Sequence, residues 1–460
     1  MLNKFARMKL QSFLATLTLA SSTVLAATGN PSANWPAWRG PQANGVSPSA
    51  TPPTEWSETR NVRWKTQIPG RGTSTPIIWD DQVFILTAIP AATSTNGVSS
   101  APAVQPTESG RLRGRGGPGG ASEAPTTQQS FTVISYDRTT GKPRWERTAR
   151  AQVPHEGHHK DHGFASASPV TDGEVLIASF GSFGIYAYDL NGTRLWETDL
   201  GDMRTRNSFG EGSSPALHGN TVVVLWDHEG EDFIVALDKR TGKDLWRQSR
   251  DEPTGWSTPL IVERDGKLQV VVNGTNKVRA YDLATGKLLW EAGGQTANAI
   301  PSPVPDGGRV IVTSGFRGAA LQAIQLGTLG DLTGTDSIVW SHNKSTPYVP
   351  SPLLYGRHLY FFSGNNALLS IFDADTGKPG IEAERLTGIQ GVYASPVGAA
   401  DRVYLIGRDG GALVLRNAAT LEVLAANRLD DGFDASPAPV GRDLFLRGRE
   451  NLYCISESTR

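Results

Sequence analysis

The sequence predicts an all-β chain folded as an eight-bladed β-propeller of four-stranded antiparallel blades. Three observations lead to this fold. A short motif ending in proline recurs eight times, a tryptophan follows a stereotyped turn in most repeats, and an N-terminal segment reads as the strand missing from the last blade. The chain also has 51 glycines and 29 prolines among 460 residues, which is typical of many short strands joined by tight turns.

The recurring motif consists of small residues followed by proline, just before an apolar strand. Proline is tolerated at the first residue of a strand because no ladder donor is needed there. From Pro169 onward the prolines are 41 to 49 residues apart, which suits one four-stranded blade per repeat. The eight copies are Ser74-Thr75-Pro76, Ala167-Ser168-Pro169, Ser213-Ser214-Pro215, Ser257-Thr258-Pro259, Pro301-Ser302-Pro303, Pro350-Ser351-Pro352, Ala394-Ser395-Pro396 and Ala435-Ser436-Pro437.

A turn with Asp at its start and Gly near its end separates the third and fourth strands of several repeats, as in Asp238 to Lys243. Asp accepts backbone hydrogen bonds across such a turn, and Gly takes its left-handed position. A tryptophan follows on the fourth strand, and a residue that recurs once per blade is expected to pack between neighbouring blades. The predicted inter-blade residues are Trp64, Trp145, Trp196, Trp246, Trp290 and Trp340.

Ring closure is predicted from the two ends of the chain. The repeat ends soon after the third strand of the eighth unit, around Leu452 to Ile455, whereas Asn61 to Lys65 carries Trp64 with no turn before it. We expect this N-terminal strand to become the fourth strand of the last blade, because joining the two ends leaves no exposed sheet edge in the ring.

Four segments are predicted. Residues 1–26 read as a secretory signal, with Lys4, Arg7 and Lys9 before a short apolar stretch; the alternative, an uncleaved anchor, is disfavoured because the stretch is shorter than the ~20 residues that span a bilayer. Residues 27–60 form an extended Pro- and Trp-rich lead-in, residues 61–456 form the propeller, and residues 90–129 form a low-complexity insertion in the first blade. We therefore expect an exported, soluble monomer in the periplasm or outside the cell.

Charge and cysteine content exclude several function classes. The formal net charge is −1, which argues against a nucleic-acid surface. Arg111, Arg113 and Arg115 stand among glycines and resemble an Arg-Gly nucleic-acid tract, but a surface loop is the favoured interpretation. Cys454 is the single cysteine, so no intramolecular disulfide and no cysteine-based zinc or iron–sulfur site can form. There is also no cysteine just after the signal that could carry a lipid.

Two clusters are candidates for chemistry. Four histidines lie within eight residues, and imidazoles bind Zn or Cu, but Pro154 and Gly157 favour a loop. The acidic run from Asp227 to Asp232 could hold Ca²⁺ or act as acid and base, yet such runs are more often polar loops. No catalytic residue is assigned, and a solvated loop is favoured over a metal site. The histidines are His155, His158, His159 and His162.

The segments Ala236 to Trp246 and Ala280 to Trp290 closely resemble the tryptophan-docking motif of the pyrroloquinoline quinone (PQQ)-like, or quinoprotein-type, propeller family. Trp35 to Pro41 is similar to the start of exported bacterial members of that family. The resemblance covers nearly all of residues 61–456 and implies an eight-bladed ring.

The resemblance implies two functional branches. Quinoprotein alcohol and glucose dehydrogenases hold PQQ and Ca²⁺ on the propeller axis, and the alcohol dehydrogenases commonly stack the quinone on a disulfide of adjacent cysteines. A chain with one cysteine cannot form that disulfide, and the calcium ligands find no matching positions, so both cofactors are disfavoured.

The other branch is non-catalytic and is typified by the propeller lipoprotein of the outer-membrane β-barrel assembly machinery. Size and repeat count favour this branch, although the cysteine that anchors that lipoprotein is missing. We expect a scaffold that binds a protein or cell-envelope polymer; the alternative is a PQQ- or metal-dependent oxidoreductase that uses the axial funnel.

Overall fold

A computed structural model of the protein describes residues 30–91 and 125–457. The predicted signal peptide, most of the predicted insertion with Arg111, Arg113 and Arg115, and the last three residues lie outside the described residues. Regular structure in the described part is β-sheet apart from three single turns of 3-10 helix, at Pro31–Ala33, Gly181–Phe183 and Arg206–Ser208.

The described residues form eight small antiparallel sheets, which confirms the predicted eight-bladed β-propeller. Each blade follows one small-residue–proline motif, and its strands are given from the axis outward. Blade 1 has Ile77–Trp79, Gln82–Pro90, Gln129–Asp137 and Pro143–Gln152; blade 2 has Val170–Thr171, Leu176–Ser179, Ile185–Tyr188 and Arg194–Thr198; blade 3 has Ala216–His218, Thr221–Trp226, Phe233–Asp238 and Asp244–Ser249; blade 4 has Leu260–Arg264, Lys267–Val272, Val278–Asp282 and Leu288–Ala292. Blade 5 has Val304–Asp306, Arg309–Ser314, Ala320–Gln325 and Ile338–His342; blade 6 has Leu353–Tyr355, His358–Phe362, Leu368–Asp373 and Pro379–Arg385; blade 7 has Val397–Ala399, Arg402–Ile406, Gly411–Arg416 and Val423–Arg428; blade 8 has Ala438–Val440, Asp443–Arg447, Asn451–Ser456 and Val62–Gln67.

The ring is closed by the N-terminal strand, as the sequence predicts. Val62–Gln67 pairs antiparallel with Asn451–Ser456, and Trp64 lies opposite Cys454. The first strands of successive blades contact one another all the way round, including blade 8 against blade 1. The circle therefore has no free edge between its first and last blades.

Strand composition follows position in the blade. The third strand of blade 3, Phe233–Asp238, is buried at its four central residues, whereas its fourth strand, Asp244–Ser249, buries Trp246 alone. Inner strands are sandwiched between neighbouring blades on both faces and are therefore nearly continuous apolar runs. The outermost strand keeps one large inward residue between polar ones, which is why tryptophan recurs there.

Two short strands extend blades beyond four. Val46–Ser47 of the lead-in pairs parallel with the first strand of blade 7, and Gly330–Asp331 pairs parallel with the fourth strand of blade 4. In blade 1, Pro90 and Gln129 face each other at the ends of paired strands. The two end residues of the predicted insertion thus belong to the blade itself.

The antiparallel order gives the ring two faces. Connections between blades, and loops between second and third strands, emerge on one face, which we call the mouth face. Turns between first and second strands, and between third and fourth strands, emerge on the opposite face, which we call the floor face.

Candidate functional site

The recurring motif builds a ring of hydroxyl groups around the axis. In seven successive steps a backbone N–H donates to the Ser or Thr hydroxyl at the same position in the next blade, over 2.8 to 3.1 Å. These bonds run between blades and fix the first strands at a constant spacing. The residues in order are Thr75, Ser168, Ser214, Thr258, Ser302, Ser351, Ser395 and Ser436.

The lead-in crosses the floor face and closes that end of the axis. The Trp35 backbone N–H donates to the Ile78 carbonyl of blade 1, and Ala43 packs against the apolar core of blades 4 and 5, on the opposite side of the ring. The Val46–Ser47 strand then pairs with blade 7. Between them, the Trp38 indole N–H lies 3.4 Å from Ser436 Oγ. The crossing segment therefore places a tryptophan at the floor-face end of the axial space.

The side chain of Arg39 anchors the lead-in to the blades around the axis. Its guanidinium is buried and donates to the carbonyls of Pro352 and Pro396, over 2.9 and 3.0 Å. Burial lowers the pKa of Arg39 to about 9. Because a buried charge must be satisfied by hydrogen bonds, these carbonyls of blades 6 and 7 hold the lead-in in one place.

Above the hydroxyl ring lies an axial cavity of about 940 Å³. Its lining includes the exposed side chains of Lys160 and Arg317 on the mouth face, so the cavity reaches solvent there. Cavities of this size are at the upper end of those that bind small molecules. Besides the hydroxyl ring and Trp38, the wall includes Asp161, Arg206, Phe209, Trp256, Asn298, Phe316, Tyr348, Tyr393 and Asp434.

The two carboxylates of the wall are already engaged by arginines. Arg408 reaches Asp161 over 3.1 Å and Asp434 over 2.5 Å, and Arg449 reaches Asp434 over 3.0 Å. The Tyr393 hydroxyl also donates to Asp161, and the Arg408 guanidinium lies 4.0 Å from the centre of the Tyr393 ring. The Arg408 cation lowers the pKa of Asp161 against the effect of burial, which raises it.

Three cations of the wall have no such partner among the described residues. No carboxylate of the described residues lies within 4.0 Å of the guanidinium of Arg206 or Arg317, or of the Lys160 ammonium, in contrast to Arg408. The Arg317 guanidinium stands 5.3 Å from the centre of the Phe316 ring. The paired charges cancel, and the unpaired ones leave the wall with an excess of positive charge.

The cavity wall also carries strained backbone and an unsatisfied polar atom. Asn207, Asn298 and Arg317 have φ of 54°, 56° and 52°, a region that non-glycine residues rarely adopt and that concentrates at ligand sites. Asn298 is 2% exposed, and its Oδ1 has no hydrogen-bond partner within the described structure. Its amide nitrogen donates to the Tyr348 hydroxyl over 3.4 Å.

The structure places the four predicted histidines in the connection from blade 1 to blade 2, each with its own contact. His155 Nε2 lies 2.7 Å from the Met203 carbonyl, His158 Nδ1 2.7 Å from the His159 carbonyl, and His162 Nδ1 2.8 Å from Ser166 Oγ. His159 receives the Asp161 N–H at 3.3 Å. Within residues 30–91 and 125–457, no group of three or more His, Cys, Asp or Glu side chains is arranged to hold a metal ion.

The acidic run after Trp226 is part of the loop framework. Asp227 forms a buried ion pair with Arg250, over 2.6 and 3.0 Å, and Arg250 also donates to the Tyr281 hydroxyl. Glu229 accepts from Thr254, and Asp232 accepts from the Glu252 N–H. These carboxylates tie the loop of blade 3 to the connection that follows it.

The six predicted tryptophans fall into two groups. Five donate their indole N–H to a backbone carbonyl of the next blade's third-to-fourth turn: Trp64 to Arg138, Trp145 to Leu190, Trp196 to Lys239, Trp246 to Leu283 and Trp340 to Ala374, over 2.7 to 3.0 Å. Trp290 instead donates to Gln269 Oε1 of its own blade, over 2.8 Å.

Most side chains of the cavity wall were not predicted from the sequence. Trp256, Tyr393 and Asp434 each stand immediately before a copy of the small-residue–proline motif. Since that motif lies at the axis in every blade, the residue before it turns toward the axial space. The repeat therefore carried a usable signal for these positions, whereas Arg206 and Arg317 lie outside it.

A family model described as outer membrane protein assembly factor BamB matches residues 91–229 and 230–460. The chain belongs to this family. It is a BamB-like member of the PQQ-like propellers, which confirms the resemblance drawn from the tryptophan-docking repeats. No curated protein matches the chain.

Solved structures show the same fold. BamB from Moraxella catarrhalis is 14% identical, with 74% of this chain and 91% of that chain covered and a TM-score of 0.50. Quinohemoprotein alcohol dehydrogenase from Comamonas testosteroni is 11% identical, with 94% and 82% covered and a TM-score of 0.61. The corresponding enzyme ADHIIG from Pseudomonas putida HK5 is 10% identical, with 93% and 81% covered and a TM-score of 0.56. At these identities the likeness concerns the fold alone.

PQQ and Ca²⁺ are the cofactors implied by the resemblance to quinoprotein dehydrogenases, and the residues of the cavity show whether they would fit there. Calcium needs several oxygen ligands, usually including free carboxylates, but Asp161 and Asp434 are engaged by Arg408. Cys454 is buried in blade 8, away from the axis lining. The cavity residues therefore do not fit a calcium–quinone pair.

No helix among the described residues is long and apolar enough to cross a membrane.

Proposed function

We propose that the protein is an exported scaffold that binds a protein or cell-envelope polymer through its mouth face, in the assembly of the envelope. The observation that carries the proposal is the axial cavity, closed on the floor face by the lead-in and open on the mouth face. A partner that inserts a segment there would meet aromatic rings, hydroxyls and unpaired cations. The family described as outer membrane protein assembly factor BamB supports a binding role.

Site-specific photo-cross-linking in living cells tests the binding face. A photoreactive amino acid in place of Tyr393, on the cavity wall, should give one dominant adduct identifiable by mass spectrometry. The matched control replaces Arg240, which is exposed on a floor-face turn. Equal adducts from both positions, or an adduct from the control alone, would contradict the proposal.

Export is tested separately by the intact mass of the protein recovered from the cell envelope fraction. We expect a chain that lacks residues 1–26. A protein that retains its N-terminus and stays with cytoplasmic markers would overturn export.

Reconstitution with PQQ and Ca²⁺ distinguishes the scaffold from an oxidoreductase. We expect no quinone absorbance after desalting and no dye reduction on adding alcohols or sugars. Retained quinone together with substrate-dependent dye reduction would replace the scaffold proposal with the enzymatic one.

A further inference from the structure

We propose that the axial cavity recognises an acidic peptide segment of the protein partner, with Arg206 and Arg317 pairing its carboxylates. This inference rests on the proposed function, because it names the chemistry of the segment that the scaffold would take. It depends on three features of the wall: the sign of the unpaired charge, a buried atom that lacks a donor, and aromatic rings whose faces are partly covered.

The charge of the wall selects an anion. Asp161 and Asp434 are neutralised by Arg408 and Arg449, so they offer little attraction to a cationic ligand. Arg206 and Arg317 come from different blades and have no carboxylate within 4.0 Å in the described structure. A guanidinium presents a planar fork of donors that matches a carboxylate in a two-bond arrangement. Two such forks favour a ligand with more than one carboxylate.

A buried acceptor calls for a donor from the ligand. Asn298 Oδ1 lies on the cavity wall without a partner, and an unsatisfied buried polar atom costs about 1–3 kcal/mol. An acidic peptide supplies both halves of what the wall lacks, because its backbone N–H groups donate and its side-chain carboxylates accept. Before binding, Asn298 is held by the hydrogen bond from its amide nitrogen to the Tyr348 hydroxyl, and the Arg317 guanidinium lies 5.3 Å from the centre of the Phe316 ring.

Three aromatic rings of the wall, those of Phe316, Tyr348 and Tyr393, favour a peptide over an acidic sugar polymer because their faces are partly covered. A sugar ring binds by stacking flat on an open aromatic face. The Phe316 and Tyr348 rings stack on each other, with centroids 4.9 Å apart, and Arg408 covers one face of Tyr393. The remaining edges and half-buried faces offer apolar contact to side chains of a peptide.

Fluorescence anisotropy with the purified mature protein tests this assignment. The probes are end-blocked fluorescein-labelled hexapeptides, one containing Asp and Glu and a matched one containing Asn and Gln, together with a labelled oligogalacturonate. We expect the acidic peptide to bind most tightly and to weaken as salt is raised. Equal binding of the amide peptide, or tighter binding of the oligogalacturonate, would overturn the proposal.

Charge-removing variants locate the site. The double variant Arg206→Gln with Arg317→Gln should weaken binding of the acidic peptide about tenfold or more, since it removes two charge-assisted contacts. The matched control, Lys243→Gln with Lys287→Gln, removes two cations from floor-face turns and should leave the affinity unchanged. An equal loss in both double variants would contradict a cavity site.

Asn298→Asp is a nearly isosteric change that adds a negative charge to the wall, and it should weaken the acidic peptide while sparing the amide peptide. Thermal unfolding of each variant shows whether the ring is intact. The two proposals fail in different ways: cross-links from the Tyr393 position without binding of acidic peptides would keep the scaffold and reject the ligand class. No cross-link and no peptide binding would reject both.

Discussion

We call the contact surface between two neighbouring blades a seam. Different side chains hold the seam of blades 3 and 4 and the seam of blades 6 and 7, but both bond the turn between the third and fourth strands of the next blade. At the first, Trp246 of the fourth strand donates to the Leu283 carbonyl in the turn of blade 4, over 2.8 Å. At the second, the Tyr360 hydroxyl of the second strand bonds the Ala418 carbonyl and N–H in the turn of blade 7, over 3.0 and 2.8 Å. Both seams bury an aromatic ring and satisfy a turn of the next blade.

The seam between blades 4 and 5 shows a third means. Trp290 turns back to Gln269 of its own blade, and the long turn of blade 5 instead adds Gly330–Asp331 to the edge of blade 4. A backbone strand here does what a side chain does elsewhere. The comparison teaches that, for the seams leading into blades 1 to 7, contact with the third-to-fourth turn of the next blade is the constant requirement, and that tryptophan is one of several ways to meet it.

The largest effect is expected when the tryptophan-docked seam between blades 3 and 4 is disrupted. Trp246→Ala removes a ring that is 8% exposed and its hydrogen bond, so the free energy of unfolding should fall by about 3–5 kcal/mol. The control, Leu245→Ala, changes the neighbouring residue, which is 50% exposed, and should cost less than about 0.5 kcal/mol. Urea unfolding followed by circular dichroism measures both, and similar losses in the two variants would show that the docking contributes little.

The pH dependence of stability sharpens the comparison. Among the blades joined by docked tryptophans, the connection from blade 2 to blade 3 carries a carboxyl group with a pKa near neutrality. Glu211, between blades 2 and 3, accepts from the N–H and hydroxyl of Ser182 over 2.8 and 2.5 Å. Burial raises the pKa of Glu211 to about 7, partly opposed by these two hydrogen bonds. By contrast, burial raises the pKa of Tyr360, at the seam of blades 6 and 7, further from neutrality.

The raised pKa of Glu211 determines the direction in which stability changes with pH. The folded state binds this proton more tightly than the unfolded state, so the contribution of Glu211 to stability is greatest below the unfolded pKa of about 4.5 and falls as the pH rises toward 7. The fall should total about 3 kcal/mol and level off above pH 7. In Glu211→Gln this slope should vanish, whatever the absolute stability. An unchanged slope in urea unfolding at pH 5, 6, 7 and 8 would contradict the burial of this carboxyl group.

The smallest expected effect is the difference in stability between two glycine variants, one in a turn that contacts a docked tryptophan and one in a turn that does not. Gly286 and Gly266 have φ of 73° and 74°, but a Cβ on Gly286 would lie 2.6 Å from the Trp246 ring, whereas nothing lies within 4 Å at Gly266. Gly266→Ala should cost about 1 kcal/mol for the left-handed backbone alone. Gly286→Ala should cost about 1–3 kcal/mol more, from the clash with the ring. Equal melting temperatures for the two variants would mean that Trp246 does not pack on this turn in solution.

The fold could be predicted from the sequence because its devices repeat. The small-residue–proline motif marks every blade, docked tryptophans mark five of the eight, and the unpaired strand around Trp64 indicates closure. The seams without a docked tryptophan could not be predicted. The contacts made by Tyr360 and by Gly330 are each found at a single seam, so they leave no periodic pattern in the sequence. The path of the lead-in is a similar case, since no repeated pattern in the sequence indicates that the side chain of Arg39 is buried at the axis.

The candidate site was harder to predict for the same reason. The clusters that attract attention in the sequence, the histidines and the acidic run, are distributed among separate loop contacts. The cavity wall is assembled from single residues of many blades, so neighbours in space such as Asp161, Arg408 and Asp434 are far apart in the chain. Only the residues directly before the recurring motif carried a sequence signal for their position.

The central claim is that the N-terminal strand Val62–Gln67 completes the last blade and closes the ring, and the reactivity of Cys454 tests it most directly. This thiol is fully buried opposite Trp64, and burial raises its pKa well above the usual range. In the native protein at pH 8 we predict no labelling by a thiol reagent over hours, with one thiol per chain labelled in urea. Rapid labelling of the folded protein would show that the N-terminal strand does not cover blade 8, and would contradict the closed ring.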